Sequence, residues 1–257
     1  MHSDSDSEAQ SDSEADSESE APSEAAPWSC FRAGSCHPYA AIAAQRLLPV
    51  LRNTSADEAV RQTTDLLAAG CRVVELTTST PGWAGAVART AALADAHGRP
   101  ALVGTGTVTT AREARTALDA GAAFLVSPYP APEVRAEADR RGAVFIEGGF
   151  TPGEIAAAVR AAGAAKVFPA HAVGPGFVRS VRAVLPDALI VPTGGIRPDG
   201  VRPWLDAGAA AVGVGAGLPD DPAELAALFA GLARHCACAC GCGCGCACAG
   251  CVVEGRS

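Results

Sequence analysis

From Leu47 onward the chain repeats one unit, a short apolar run followed by a segment with helical punctuation, about every 23 residues. The apolar runs are Leu47–Arg52, Cys71–Leu76, Ala101–Thr107, Phe124–Pro128, Ala143–Gly148, Ala164–Ala170, Ala188–Gly195 and Ala210–Gly215. Each is rich in Val, Ile, Leu, Phe or Ala, and none alternates apolar with polar residues. That is the pattern of parallel strands buried on both faces. Eight strand-then-helix units within about 190 residues predict an α/β fold, a small (β/α)8 TIM barrel. A doubly wound open sheet is the alternative arrangement of the same elements.

The connecting segments carry start and stop signals. Ser55-x-x-Glu58, Thr110-x-x-Glu113, Thr151-x-x-Glu154 and Asp221-x-x-Glu224 match or resemble capping boxes. Pro152 and Pro222 stand at a first helical position, where a missing N–H does no harm. Gly70, Gly121 and Gly208 follow their helices, where a positive φ is wanted. Residues 38–48 read as a short lead-in helix, so the barrel domain is expected over 38–235.

Two tails of different composition flank it. Residues 1–37 form an acidic tail. Residues 1–24 carry nine Asp and Glu and no Lys or Arg, with almost no large apolar group to offset the entropy of ordering, so disorder is expected. Without those nine charges the net charge of −8 becomes −8 + 9 = +1, a nearly neutral body with nothing to suggest nucleic-acid binding. Residues 236–257 are a low-complexity Cys/Ala/Gly tail holding eight of the eleven cysteines. Alternating Cys-x-Cys could bind a soft metal; a GC-rich repeat or a frame error in the gene is the plainer reading. Cys71 is the one cysteine in the patterned region, so that region has no disulfide framework, which suits a reducing compartment. No run of about 18 apolar residues marks a membrane span. The acidic start lacks the basic-then-apolar form of a secretory signal. A cytoplasmic protein with neither nucleic-acid nor membrane partners is expected.

In a TIM barrel the chemistry lies where strands end. Those positions hold Arg52, Glu75, Thr107, Pro128, Glu147, Lys166, Thr193 and Gly215. Lys166 is the one lysine beside nineteen arginines, and it sits inside an apolar run, Ala164-Ala-Lys-Val-Phe-Pro169. Arginine evidently serves wherever the chain needs a plain positive charge. A Schiff base needs a primary amine that can lose its proton, which a guanidinium cannot supply. The competing reading is a surface lysine paired with a carboxylate. Glu75, closing Cys71-Arg-Val-Val-Glu75, is a candidate proton shuttle or else one half of a structural ion pair with an arginine such as Arg52. Pro192-Thr-Gly-Gly-Ile196 and Gly213-Val-Gly-Ala-Gly217 close the last two strands, where barrels commonly bind phosphate on backbone N–H groups. Gly104-Thr-Gly-Thr107 reads similarly, or as tight packing. No cluster of His, Cys or Asp with ligand spacing stands at these ends, so no metal and no cofactor is expected; His171 is nearby but alone.

Leu48-Pro-Val-Leu-Arg52, Val74-Glu-Leu-Thr77, Gly104-Thr-Gly-Thr-Val108, Ser127-Pro128, Lys166-Val-Phe-Pro169 and Pro192-Thr-Gly-Gly-Ile196 stand in one order. In that order and spacing, residues 47 to 218 resemble the 2-keto-3-deoxy-6-phosphogluconate/4-hydroxy-2-oxoglutarate aldolase family. The resemblance implies a class I aldolase that cleaves a small-molecule keto acid, a 2-keto-3-deoxy-6-phospho sugar acid or 4-hydroxy-2-oxoglutarate, to pyruvate plus an aldehyde, with Lys166 as the Schiff-base residue and Glu75 as the general acid/base. It also implies Arg52, Thr107, Pro128, Phe168 and Thr193 as substrate-binding residues, Gly194, Gly195, Gly215 and Ala216 as the phosphate site, and a homotrimer. Ser79 stands where many gluconate-type members carry an arginine for the substrate carboxylate. The run Glu75-Leu-Thr-Thr-Ser-Thr-Pro-Gly-Trp83 and the Gly174-Pro175 turn are closer to the phosphogalactonate branch, in which Arg52 would meet the carboxylate. Glu147-Gly148 replaces the usual Pro-Gly, and Ala216 stands where some members offer a serine. Two rival functions are a different phosphate-binding barrel, an isomerase or synthase without imine chemistry, and a catalytically silent scaffold using its tails.

Overall fold

In the computed structural model each of the eight apolar runs contains strand, and every pairing between named strands is parallel. The structure describes residues 37–94 and 97–233; the acidic tail up to residue 36 and the Cys-rich tail lie outside the described residues. The order is α1 (Pro38–Gln45), β1 (Leu47–Leu51), α2 (Ala56–Ala68), β2 (Val73–Thr77), α3 (Trp83–Ala91), β3 (Leu102–Gly106), α4 (Ala111–Asp119), β4 (Phe124–Val126) and α5 (Pro132–Arg141). It continues with β5 (Val144–Ile146), β6 (Gly148–Gly149), α6 (Pro152–Ala162), β7 (Ala164–Val167), α7 (Pro175–Val184), β8 (Leu189–Pro192), α8 (Val201–Asp206), β9 (Val212–Val214) and α9 (Pro222–Leu232). The fifth predicted strand is thus two short pieces, β5 and β6, interrupted at Glu147.

The strands form two parallel sheets, one in the order β5-β4-β3-β2-β1-β9 and one in the order β6-β7-β8. They meet at both margins. On one side the chain itself passes from β5 through Glu147 into β6, whose ladder with β7 includes the Lys166 N–H donating to Glu147 O at 2.9 Å. On the other, Ala210 N–H donates to Ile190 O at 2.9 Å, and a parallel bridge pairs Thr193 with Gly213.

The strand pleat sends alternate residues to opposite faces, and two core clusters mark those faces. Leu47, Leu51, Val74, Leu76, Val103, Ala165, Val167, Ile190 and Val212 pack against the surrounding helices. Leu48, Val50, Val73, Phe124, Val126, Ile146, Ala164, Leu189 and Val191 share the inner face with α1. The lead-in helix is present but ends at Gln45, since Leu47 and Leu48 already belong to β1, and it plugs the end at which the strands begin. Pro38 opens it, Tyr39, Ala40, Ala41 and Ile42 are buried in the inner cluster, and Gln45 grips Leu47 O, Val73 O and the N–H groups of Arg72 and Val73. Burial pushes the Tyr39 phenol up to about 12, so it stays protonated and donates to Phe145 O. The expected helix starts are present. Ser55, Thr110, Thr151 and Asp221 cap α2, α4, α6 and α9, with full capping boxes at Thr110 and Thr151.

Candidate active site

The one lysine and the strand-end glutamate meet inside the sheets. On β2 the parity that buries Val73 in the inner cluster gives Glu75 the same face; on β7, Ala164 does the same for Lys166. Glu75 is fully buried and Lys166 is 5% exposed, and Lys166 Nζ lies 3.4 Å from Glu75 Oε1. Two charged side chains at such burial are costly unless they face each other. Glu75 Oε2 is buried and has no hydrogen-bond partner among the described residues, so one carboxylate oxygen is left for another proton or ligand.

The neighbouring strand makes room for this pair. β3 runs beside β2 with Gly104 opposite Glu75 and Gly106 opposite Thr77. A methyl group on Gly106 would overlap the Glu75 carboxylate, and one on Gly104 would overlap the Phe124 ring. The Gly-Thr-Gly run is therefore a space requirement beside the glutamate. Cys71, fully buried with its thiol pushed up to about 12 by burial, is held as an inert core residue.

Of the other strand-end residues, Phe168 stands near the lysine, with its ring centroid 5.6 Å from Nζ. Thr193 follows β8, donates its N–H to Val167 O, and lies so close to Gly213 that a methyl group there would overlap its hydroxyl. Pro128 packs its backbone against Gly148. Thr107 leaves β3 at a φ of 59°, and its carbonyl accepts from Thr78 Oγ1. Arg52 is exposed and donates to Ser79 Oγ at 2.7 Å; Ser79 Oγ is 2.8 Å from Thr77 Oγ1, which donates to Leu51 O. Because Thr77 spends its one proton on Leu51, the hydrogen bonds have a single direction, from Arg52 through Ser79 and Thr77 back to Leu51, the residue before Arg52. Gly194 O accepts from His171 N–H at 3.1 Å, and Gly195 packs on the His171 ring. Gly215 and Ala216 are exposed beyond β9.

One strand-end residue belongs elsewhere. Glu147 was expected among the polar groups converging at the strand ends, but its Oε1 accepts from the Ala131 N–H at 2.7 Å, where α5 begins, and its Oε2 lies 3.8 Å from Arg135. It is one residue past inward-facing Ile146, and a one-residue step flips the face. Two further residues escaped sequence reasoning: Thr77, detectable from its parity with Glu75, and Arg197, whose guanidinium lies against Gly217. Among the described residues no group of three or more His, Cys, Asp or Glu is placed to hold a metal ion. No helix among them is long and apolar enough to cross a membrane.

Residues 40–225 match a family model described as KDPG and KHG aldolase. The chain belongs to that aldolase family. Its relatives include the 2-dehydro-3-deoxy-6-phosphogalactonate aldolase of Escherichia coli strain K12, 33% identical over 174 residues, covering 67% of this chain and 83% of the relative. The 2-keto-3-deoxy-6-phosphogluconate aldolase of Zymomonas mobilis ZM4, solved with 3-phosphoglycerate, is 26% identical at a TM-score of 0.66, over 75% of this chain and 92% of that one. The KDPG aldolase of Legionella pneumophila, solved with pyruvate captured at low pH as a covalent carbinolamine intermediate, is 25% identical at a TM-score of 0.66, over 76% of this chain and 98% of that one. As a member of this family, the aldolase is a lyase that releases pyruvate from a 2-keto-3-deoxy-phospho sugar acid.

Proposed function

We propose that this aldolase cleaves its substrate through a Schiff base on Lys166, with Glu75 moving the protons. The observation that carries the reading is the contact of the one lysine of the chain with a buried carboxylate 3.4 Å away. Lys166 Nζ, once unprotonated, adds to the C2 ketone to give a carbinolamine, and loss of water leaves an imine. The C3–C4 bond then breaks, its electron pair running into the imine to form an enamine. Glu75 takes the C4 hydroxyl proton, directly or through water, as that carbon departs as an aldehyde. The same carboxyl returns a proton to C3, and hydrolysis frees pyruvate and the amine. The imine is the electrophile throughout, so no metal or cofactor enters the scheme. The carbinolamine of the Legionella relative supports the covalent course.

The remaining assignments follow from that reading. Arg52 receives the substrate carboxylate. Thr107, Pro128, Phe168 and Thr193 line the pocket, and Gly194, Gly195, Gly215 and Ala216 receive the phosphate. Ser79 in place of an arginine favours the galactonate-type substrate, as does the Escherichia coli relative. The two sheets, continuous through Glu147 at one margin and bonded between β8 and β9 at the other, are read as one closed eight-station barrel in which β5 and β6 share a station. A cytoplasmic homotrimer is the assembly proposed.

The test is pyruvate release from gluconate-, galactonate- and 4-hydroxy-2-oxoglutarate-type substrates by wild type and Lys166→Arg. Wild type is expected to cleave a phosphorylated six-carbon acid best. Lys166→Arg is expected to lose several orders of magnitude in turnover, since a guanidinium with a pKa above about 12 forms no imine, while stability moves by only about 1–2 kcal/mol. Near-normal cleavage by the variant would remove Lys166 from the mechanism.

A further inference from the structure

We propose that Arg197 is a phosphate clamp that sets this enzyme's preference for phosphorylated over unphosphorylated substrate. The inference rests on the aldolase reading and goes beyond it. The phosphate loops themselves offer no charge: Gly194, Gly195, Gly215, Ala216 and Gly217 present backbone N–H groups and no polar side chain. A phosphate ester is close to a dianion at neutral pH, and it binds far better where a cation joins the neutral donors.

Arg197 is placed to be that cation. It follows buried Ile196, which anchors the loop after β8, and its carbonyl accepts from Gly200 N–H at 3.0 Å, so the base of the side chain is fixed. Its head crosses to the other loop. A methyl group on Gly217 would stand 3.1 Å from Nη2 and 3.2 Å from both Cζ and Nη1. The guanidinium therefore fills the space beside Gly217 that a side chain would take. Gly217, at a φ of 76°, suits this on two counts: it turns the chain and leaves the face bare. The N–H groups of the Arg197 side chain make no hydrogen bond among the described residues, which leaves the planar fork available to a bidentate acceptor. The side chain is 70% exposed, and its recorded ionic contact is with Asp199, with Nε 4.0 Å from an oxygen of a side chain itself 86% exposed. So loose a surface pair gives way easily to a phosphate.

The experiment compares wild type, Arg197→Ala and Arg197→Lys. One reading is the ratio of kcat/KM for a 2-keto-3-deoxy-6-phospho acid to that for 4-hydroxy-2-oxoglutarate. The other is calorimetric binding of glycerol 3-phosphate. Arg197→Ala is expected to lower the ratio, and to weaken the phosphate ester, by about 10- to 100-fold, the loss of a charge-assisted bidentate contact. Arg197→Lys is expected to fall between, keeping the charge without the fork. A ratio and a binding constant equal to wild type in Arg197→Ala would overturn the clamp. Should wild type cleave none of the substrates, the aldolase reading falls and calorimetry alone judges the clamp: binding lost in Arg197→Ala upholds it, and binding unchanged refutes it.

Discussion

Glu75 occupies space that only a glycine neighbour leaves open. With Gly106 replaced by alanine, the added methyl would overlap the carboxylate, which must then leave its place beside Lys166 Nζ. Gly106→Ala is therefore expected to lower kcat by about 100-fold, the order of loss seen when a catalytic group shifts by an ångström, and to cost about 1–3 kcal/mol in a denaturant melt, as overpacking does. Wild-type kcat in that variant would show that the glutamate's position does not matter. At this scale the sequence is unequal as a guide. Lys166 stands out because no other lysine competes with it. Glu75 and Lys166 share a face because strand parity is countable. Arg197 is one of nineteen arginines, and nothing in its neighbours says that its head reaches a glycine twenty residues on. Glu147 misleads because it closes an apolar run as Glu75 does, although it stands one residue past inward-facing Ile146, where the strand is interrupted and its carboxylate turns to the Ala131 N–H.

Among the elements, α4 and α6 hold their starts by the same device, a capping box, and it is sensitive to pH. Glu154 is held below the usual carboxylate value of 4.5 by the N–H groups of Thr151 and Phe150 and by the Thr151 hydroxyl. Glu113 is also lowered: burial pushes it up, but the N–H and hydroxyl of Thr109 and the donors of Thr110 outweigh it. A carboxyl whose folded value is depressed stabilises fully above its unfolded value and loses that contribution as pH falls through the folded one. The double variant Glu113→Gln, Glu154→Gln is therefore expected to melt below wild type at pH 7, with the difference closing as the pH is lowered beneath about 4. A gap in Tm that stays constant from pH 7 to pH 3 would contradict the charged role of these caps. Such boxes were legible because a Ser or Thr and a Glu three residues later report a local geometry. The split of the fifth strand was not, since Ala143–Gly148 is apolar apart from Glu147, and the partners of Glu147, Ala131 and Arg135, lie at least twelve positions away at the start of α5 and within it.

For the molecule as a whole, the central fact is a contact between residues 91 positions apart, made by strands of two different sheets. The repeat of strand and helix made the parallel α/β architecture readable in advance, because each unit is local. The edge-to-edge meeting of the sheets is long-range and is carried by single backbone bonds such as Ala210 N–H to Ile190 O, which no local pattern announces. That meeting brings a buried amine to a buried carboxylate, and the whole account depends on what that amine does. The most direct measurement is borohydride reduction in the presence of pyruvate, followed by peptide mass mapping. With one lysine in the chain, the α-amine aside, a side-chain adduct has a single address. The account predicts one reduced pyruvate adduct per chain at Lys166, absent from Lys166→Arg. Wild-type protein that takes no label at Lys166, or a Lys166→Arg protein labelled as heavily as wild type, would contradict it.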